Sequence, residues 1–259
     1  MNIIVLSLLV GVIGMGLGAL ITALVGTKTE RMISIFLSLA AGVMVSIVFL
    51  ELIPEAVEYS NIGVAVIGLI LGVLLVLVLN NIIDRFSKTD PSNSKLHETY
   101  ADFFHSNEVI ANKKSMLRSG MIMLFAIALH NIPEGLAMGA AGYHDAALGV
   151  TIAIMIGLHN IPEGMAISAP LISGGLSKIK TVLLVTLTGA STVIGAAAGV
   201  LIGGVSDLAL ALSFAVAGGA MLYVVFAEIL PQAIVTNRDR VPPIFALVGI
   251  LIGLLLTQI

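Results

Sequence analysis

Long apolar runs recur along the chain and are separated by short polar segments. Each run is close to the length of about 20 residues that a helix needs to cross the hydrocarbon core of a bilayer. The runs lack the ten-residue alternation of barrel strands, and an open sheet cannot satisfy its backbone in lipid. The pattern predicts an all-α integral membrane protein with eight transmembrane helices at 3–25, 32–54, 62–80, 119–140, 146–171, 181–203, 208–234 and 242–258.

One polar segment, 81–118, is much longer than the others. It is rich in Asn, Ser and Lys and carries mixed charge, which is typical of a flexible loop. Its two histidines, His97 and His105, are eight residues apart, and we interpret them as ordinary loop residues. The remaining runs have no linker between them, so residues 1–259 are predicted to form a single transmembrane domain.

Composition supports the membrane prediction and removes some chemistry. The chain is 58% hydrophobic and 10% charged, whereas soluble domains carry about 25% charged residues. It contains no cysteine, which excludes disulfides, thiol nucleophiles and thiolate metal sites.

The basic residues fall on one side of the predicted topology. If both termini lie outside the cell, every loop that carries Lys or Arg is cytoplasmic, including 81–118, as the positive-inside rule requires. We therefore predict a multi-pass protein of the cell membrane with extracytoplasmic termini. The basic residues are Lys28, Arg31, Arg85, Lys88, Lys95, Lys113, Lys114, Arg118, Lys178, Lys180, Arg238 and Arg240.

The opposite face is acidic. Glu55, Glu58, Asp145 and Asp207 lie there without a compensating base. A negative rim raises the local concentration of cations. Ordinary solvated loop acids are an equally good interpretation of these four residues.

A six-residue motif, His-Asn-Ile-Pro-Glu-Gly, occurs at 130–135 and again at 159–164. The copies are 29 residues apart, one helix plus a short loop, so they run in opposite directions through the membrane. Each begins about a dozen residues into its helix, and at about 1.5 Å per residue both lie near the midplane.

The motif has the residue types and the spacing of a metal site. Residues i and i+4 share a helix face, which places Glu134 beneath His130, with Asn131 one step around the helix. The second copy repeats this with His159, Asn160 and Glu163. Each carboxylate costs about 2.5–3.5 kcal/mol to insert into a membrane. Imidazole with carboxylate suits Zn²⁺, Fe²⁺, Mn²⁺ or Co²⁺.

Other interpretations of the motif remain open. One His or Glu in a membrane helix can be a packing residue or part of a proton relay, although two copies at one depth favour a metal. A zinc-dependent intramembrane hydrolase is the main rival, because zinc with an open position activates water. The chain has no His-Glu-x-x-His motif and no further base or nucleophile that completes a catalytic set. We therefore expect that the protein is not an enzyme.

A fainter repeat relates 40–56 to 217–233, with eight identities in seventeen positions. These segments belong to helices that run in opposite directions, which implies an inverted relation between helices one to three and six to eight. Such repeats are typical of transporters that bind substrate at the midplane. Matched Glu51 and Glu228 are candidates for a cation pathway or ordinary helix-end acids. Met44 is most simply a core residue.

The paired motif and the eight-span plan resemble the ZIP (Zrt/Irt-like) divalent metal transporter family, closest to its bacterial zinc-uptake members. The resemblance implies a 3+2+3 helix arrangement and metal passage from outside to cytosol. It implies a primary site on His130, Glu134, His159 and Glu163, and a second site on Asn131, Asn160 and the same glutamates. Met44 matches a primary-site methionine of some members, and Glu228 a pathway acid. Thr192 stands where some members carry a carboxylate.

These features predict a transporter that imports divalent metal ions, with Zn²⁺ as the main candidate and Fe²⁺, Mn²⁺, Co²⁺ and Cd²⁺ as others. The metal is the substrate, and no cofactor is predicted. The expected partners are divalent metal ions and the lipid bilayer, with a homodimer as a family expectation and no nucleic acid. The alternative functions are the hydrolase above and a channel without a trapped site.

Overall fold

The computed structural model describes residues 2–27, 29–87, 113–202 and 206–256. Within these ranges the chain is helical and contains no strand, which confirms the predicted all-α class. Most of the predicted loop, including His97 and His105, lies outside the described residues. The helices are α1 (Ile3–Val25), α2 (Glu30–Glu58), α3 (Ile62–Ser87), α4 (Lys113–His144), α5 (Ala146–Ser173), α6a (Lys178–Thr188), α6b (Ser191–Ile202), α7 (Asp207–Thr236) and α8 (Val241–Leu256).

Six helical segments are long and apolar enough to cross a membrane. They are Ile3–Val25, Glu30–Glu58, Met123–His144, Ala146–Ser173, Lys178–Leu201 and Asp207–Thr236. Two more apolar segments, Ile62–Val78 and Val241–Leu256, are shorter over the residues that the structure describes.

The helices on either side of the long polar segment extend beyond the predicted spans. α3 continues to Ser87 and α4 begins at Lys113, so 81–87 and 113–118 are helical although they were predicted as loop. Hydrophobicity marks where a helix leaves the hydrocarbon core, whereas backbone hydrogen bonds can continue the helix into water. Polar composition alone therefore placed both helix ends too early.

Side-chain caps mark several helix starts. The side chains of Asn2, Thr29, Asp145 and Ser206 each accept a hydrogen bond from a backbone N–H in the first turn of the following helix. Such caps satisfy donors that have no partner within the helix. Asp145 is the only residue between α4 and α5, so the two motif-bearing helices follow each other directly.

Helices α2 and α7 contain a π-helical turn at matching positions. The turns are Val48–Leu52 and Val225–Ile229, and each is followed by a proline two residues later, Pro54 or Pro231. In the first turn the Ile53 N–H bonds to the carbonyl five residues earlier, and Leu230 does the same in the second. Proline cannot donate in the helix interior, and a π turn is a common form of local helix distortion. The fainter sequence repeat thus coincides with a repeated backbone feature.

Glycines let two helix pairs approach closely around the motifs. α1 packs on α5 where Gly18 meets Gly164, and α4 packs on α6b through Gly135 and Gly195. A Cβ atom on any of these residues would overlap the backbone of the facing helix. Small residues at such crossings are common in membrane proteins, where association depends on close packing.

Two further pairs repeat this design away from the motifs. α2 packs on α8 where Gly42 meets Gly249, and α3 packs on α7 where Gly72 meets Gly219. Gly42 and Gly72 stand 177 residues before Gly219 and Gly249, the offset that also separates Gly18 from Gly195. The same contacts are therefore made twice, with the roles of the helices exchanged.

Candidate metal centre

Both copies of the motif lie in the interior. His130, Asn131 and Glu134 of α4 are at most 1% exposed, and the corresponding residues of α5 are at most 2% exposed: His159, Asn160 and Glu163. Each copy contains a proline within its helix, Pro133 or Pro162. Two acids buried this completely are stable only if cations or donors compensate them.

The histidines and glutamates pair across the two helices. His130 Nε2 lies 3.1 Å from Glu163 Oε1, and His159 Nε2 lies 3.3 Å from Glu134 Oε1. His130 Nε2 is also 3.5 Å from Glu134 Oε1, its neighbour one turn along. Four side chains that are far apart in sequence therefore meet at one point between α4 and α5.

These separations suit a bound ion. Two ligands held at 2.0–2.1 Å from zinc at tetrahedral angles lie about 3.3 Å apart. Ligand atoms of His130, Glu134 and Glu163 all lie within 4.8 Å of one another. Two imidazole nitrogens and two carboxylate oxygens form a donor set that fits zinc and related divalent ions, and the ion would offset both buried negative charges.

A set of oxygen atoms without hydrogen-bond partners lies on the same helices. Each glutamate directs one oxygen, Oε1, to the histidines, and the second oxygen has no partner. The partnerless buried oxygens of this region are Glu134 Oε2, Glu163 Oε2, Asn131 Oδ1, Asn160 Oδ1 and Thr192 Oγ1. Leaving such atoms unpaired is costly, and oxygen atoms of this kind are ligands for hard cations.

Helix α6 reaches the centre through its backbone. The helix is interrupted at Gly189–Ala190, and the Asn131 amide donates a hydrogen bond of 3.3 Å to the Thr188 carbonyl just before the break. Our sequence reasoning predicted one continuous helix over 181–203 and overlooked Thr188. The Thr-Gly-Ala-Ser sequence at 188–191 is the signal that could have revealed a break, since Gly and Ser disfavour helix interiors.

The family model of the ZIP zinc transporters matches residues 1–259. The chain belongs to the ZIP family. This confirms the resemblance drawn from the paired motif, and it agrees with a multi-pass membrane protein.

Curated ZIP relatives match part of the chain. The zinc transporter ZupT of Chlorobium chlorochromatii is 30% identical over 147 residues, which cover 53% of this chain and 52% of the relative. The zinc transporter ZTP29 of Arabidopsis thaliana is 30% identical over 144 residues, which cover 56% and 52%. ZupT of Streptococcus mutans is 28% identical over 145 residues, which cover 53% and 51%. The aligned part of the chain spans about half the length of these relatives.

The remaining predicted residues of this ZIP chain lie on α2 and α7. Met44 is fully buried on α2 and belongs to the hydrophobic core, and α2 packs against α5. Glu51 lies half-buried in the π turn of α2 and interacts electrostatically with His159. Glu228 occupies the corresponding place in the π turn of α7 and is also half-buried. The two acids thus lie at matching distortions of matching helices.

The predicted acidic rim of the ZIP chain gathers around Tyr59, which follows α2. Its ring stacks on Phe214 with centroids 6.3 Å apart and lies at the same distance from His144. His144 Nε2 pairs with Asp207 Oδ1 at 3.2 Å, and both side chains are exposed. Burial raises the pKa of Tyr59, and four carboxylates raise it further: Glu55, Glu58, Asp145 and Asp207. The acids at three helix ends therefore form one negative region.

Proposed function

We propose that this chain is a membrane transporter that carries divalent metal ions, most readily Zn²⁺, into the cytosol. The observation that carries the proposal is the buried crossing of His130 with Glu163 and of His159 with Glu134. A metal ion is the simplest species that compensates two carboxylates at this depth. Membership of the ZIP family and the names of the aligned relatives support the same activity.

The four crossing side chains form the primary binding site in this proposal. His130 and His159 coordinate through Nε2, which must be free of its proton, while Glu134 and Glu163 coordinate through Oε1. Binding therefore releases protons, and acidification weakens it. Met44 is proposed as a further, softer ligand, because it is buried on a helix that packs against α5.

A second position is proposed on the oxygen side of the same glutamates. Asn131 and Asn160 would contribute amide oxygens there, beside the partnerless Oε2 atoms of the two acids. Thr192 contributes only a neutral hydroxyl where a carboxylate would bind more strongly. An ion at this position is consequently held less tightly than one at the primary site.

We further propose a 3+2+3 inverted-repeat arrangement, in which α1–α3 and α6–α8 are equivalent halves around α4 and α5. The matching π turns and the glycine contacts at an offset of 177 residues support it. Inverted halves can exchange conformations and open a midplane site to either side in turn. This supports a carrier with a trapped site rather than a channel.

The direction of transport is proposed from charge. The acidic region around Tyr59 would concentrate cations at the outer face, with both termini on that side. Glu51 and Glu228 would then guide the ion towards and away from the centre. Homodimerisation is expected from the family, and the proposed mechanism does not depend on it.

Flux into liposomes tests the proposal. Purified protein reconstituted with a zinc gradient should take up radioactive zinc with a rate that saturates, whereas protein-free liposomes should not. A rate that stays linear with zinc concentration would indicate a channel. Zinc that binds to the protein but is not moved would overturn the transport proposal and favour the hydrolase alternative.

A further inference from the structure

The break in α6 leaves one carbonyl exposed to two side chains. The Thr188 carbonyl accepts a hydrogen bond of 2.6 Å from the Ser191 hydroxyl and one of 3.3 Å from Asn131 Nδ2. A carbonyl oxygen has two lone pairs and no proton, so both bonds can form together. The break therefore provides a fixed acceptor beside the first copy of the motif.

This acceptor determines how the Asn131 amide is oriented. Because a carbonyl can only accept, the amide must turn its NH₂ group towards Thr188 and its oxygen away. Asn131 Oδ1 is then buried without a hydrogen-bond partner. Its side chain is held with the oxygen free, which is the state that a cation ligand requires.

The second copy of the motif lacks this device. Residues 177 positions before Thr188 and Ser191 are Gly11 and Gly14, and both lie within the unbroken helix α1. The Cβ atom of Asn160 lies against Gly14, where α1 has no hydroxyl to offer. Both Asn160 Nδ2 and Oδ1 are buried without a partner. Thus the two asparagines are equivalent in sequence but differ in their surroundings.

We propose that the broken helix α6 positions Asn131, through the Thr188 carbonyl, as the fixed amide ligand of the second metal position, while Asn160 is the adjustable one. The inference rests on the proposed metal-binding function and adds an asymmetry to it. Ser191 acts indirectly, because its hydroxyl holds the same carbonyl. Asn131 must keep an NH₂ group, whereas Asn160 need only present an oxygen.

Exchange of each asparagine for aspartate tests this asymmetry. Asn160→Asp adds a charged ligand and loses no contact, so the second zinc should bind at least as tightly as before, or appear if the wild type binds one. Asn131→Asp sets a carboxylate against the Thr188 carbonyl, and the second zinc should bind at least about ten-fold more weakly than in Asn160→Asp. Calorimetry gives both affinities and the stoichiometry in one titration with zinc chloride.

The outcomes separate the two proposals. Equal effects of the two exchanges, or tighter binding in Asn131→Asp, would overturn the asymmetry while the primary site stays intact. A wild type that binds no zinc at all would instead contradict the proposed function.

A milder pair of variants covers the case in which Asn131→Asp does not fold. Ser191→Ala removes one hydrogen bond to the Thr188 carbonyl and should weaken the second zinc about three-fold, with the first unchanged. Ser7→Ala removes a similar hydroxyl bond, to Ile4 in α1, and should change neither. Identical titrations of Ser191→Ala and Ser7→Ala would contradict the positioning role.

Discussion

At the scale of single residues, the centre depends on side chains that compensate one another across α4 and α5. Each histidine approaches the glutamate of the other motif copy, at 3.1 Å and 3.3 Å. A truncated partner leaves a buried acid or imidazole without its counterpart, which costs more than the contact itself is worth. The four residues should therefore respond to mutation as one unit.

Removal of either kind of ligand should disrupt zinc binding. His130→Ala and Glu163→Ala should each raise the zinc dissociation constant at least about 100-fold, since even outer-shell partners of metal ligands contribute about 10–100-fold. Equilibrium dialysis or calorimetry measures the change. His144→Ala removes an exposed histidine away from the centre and should leave the affinity unaltered. Wild-type affinity in both ligand variants would refute the assignment of the site.

At the scale of helices, backbone proximity decides the architecture. Glycines at the crossings of α2 with α8 and of α3 with α7 allow contacts that any Cβ atom would prevent. π turns add a second constraint, because they change which side chains face the interior within a single helix. Helix pairs in this protein are therefore held in a defined register.

A methyl group at a crossing should destabilise the protein. Gly219→Ala would press a Cβ atom into the backbone of α3, and Gly42→Ala would do the same against α8. Each should cost about 2–3 kcal/mol or more, since overpacking that cannot relax is expensive. Thermal unfolding in detergent measures the loss.

An adjacent glycine provides the control. A Cβ atom on Gly218 would meet the side chains of Val48 and Leu69 at 3.3 Å and 3.5 Å, and side chains can move aside. Gly218→Ala should therefore be clearly milder than Gly219→Ala. Equal melting temperatures for the two variants would show that the close crossing is not what limits the substitution.

At the scale of the whole molecule, charge and packing complement each other. The outer helix surfaces expose many large apolar side chains, among them Leu247, Leu251 and Leu183, as a lipid environment requires. The acidic residues collect around Tyr59, while Lys and Arg follow the opposite helix ends. This separation predicts a single orientation in the membrane.

Cysteine labelling tests the orientation directly, because the chain contains no cysteine of its own. Glu58→Cys, in the acidic region, should react with a membrane-impermeant maleimide in intact cells. Lys180→Cys, near the start of α6a, should react only after the membrane is opened. The reverse pattern would place the termini in the cytoplasm and reverse the proposed direction of import.

The hydrophobic pattern and the two motifs were sufficient to predict the helical class, the approximate spans and the residues of the centre. These properties are local: apolar length reports a helix that can cross lipid, and spacing of four residues reports a shared helix face. The repeat of 40–56 at 217–233 also pointed to π turns of matching position, although it did not reveal their geometry.

Tertiary structure decided which partners those residues meet. The crossing of His130 with Glu163, and the bond from Asn131 to the Thr188 carbonyl, depend on how far one helix is shifted along another. That shift is set by glycine contacts between residues distant in sequence, such as Gly135 with α6b. Periodicity within one helix carries no information about it, because every residue on a face looks alike until a second helix packs there. The sequence alone therefore determined the ligands, and only helix packing decided their pairing and the different surroundings of Asn131 and Asn160.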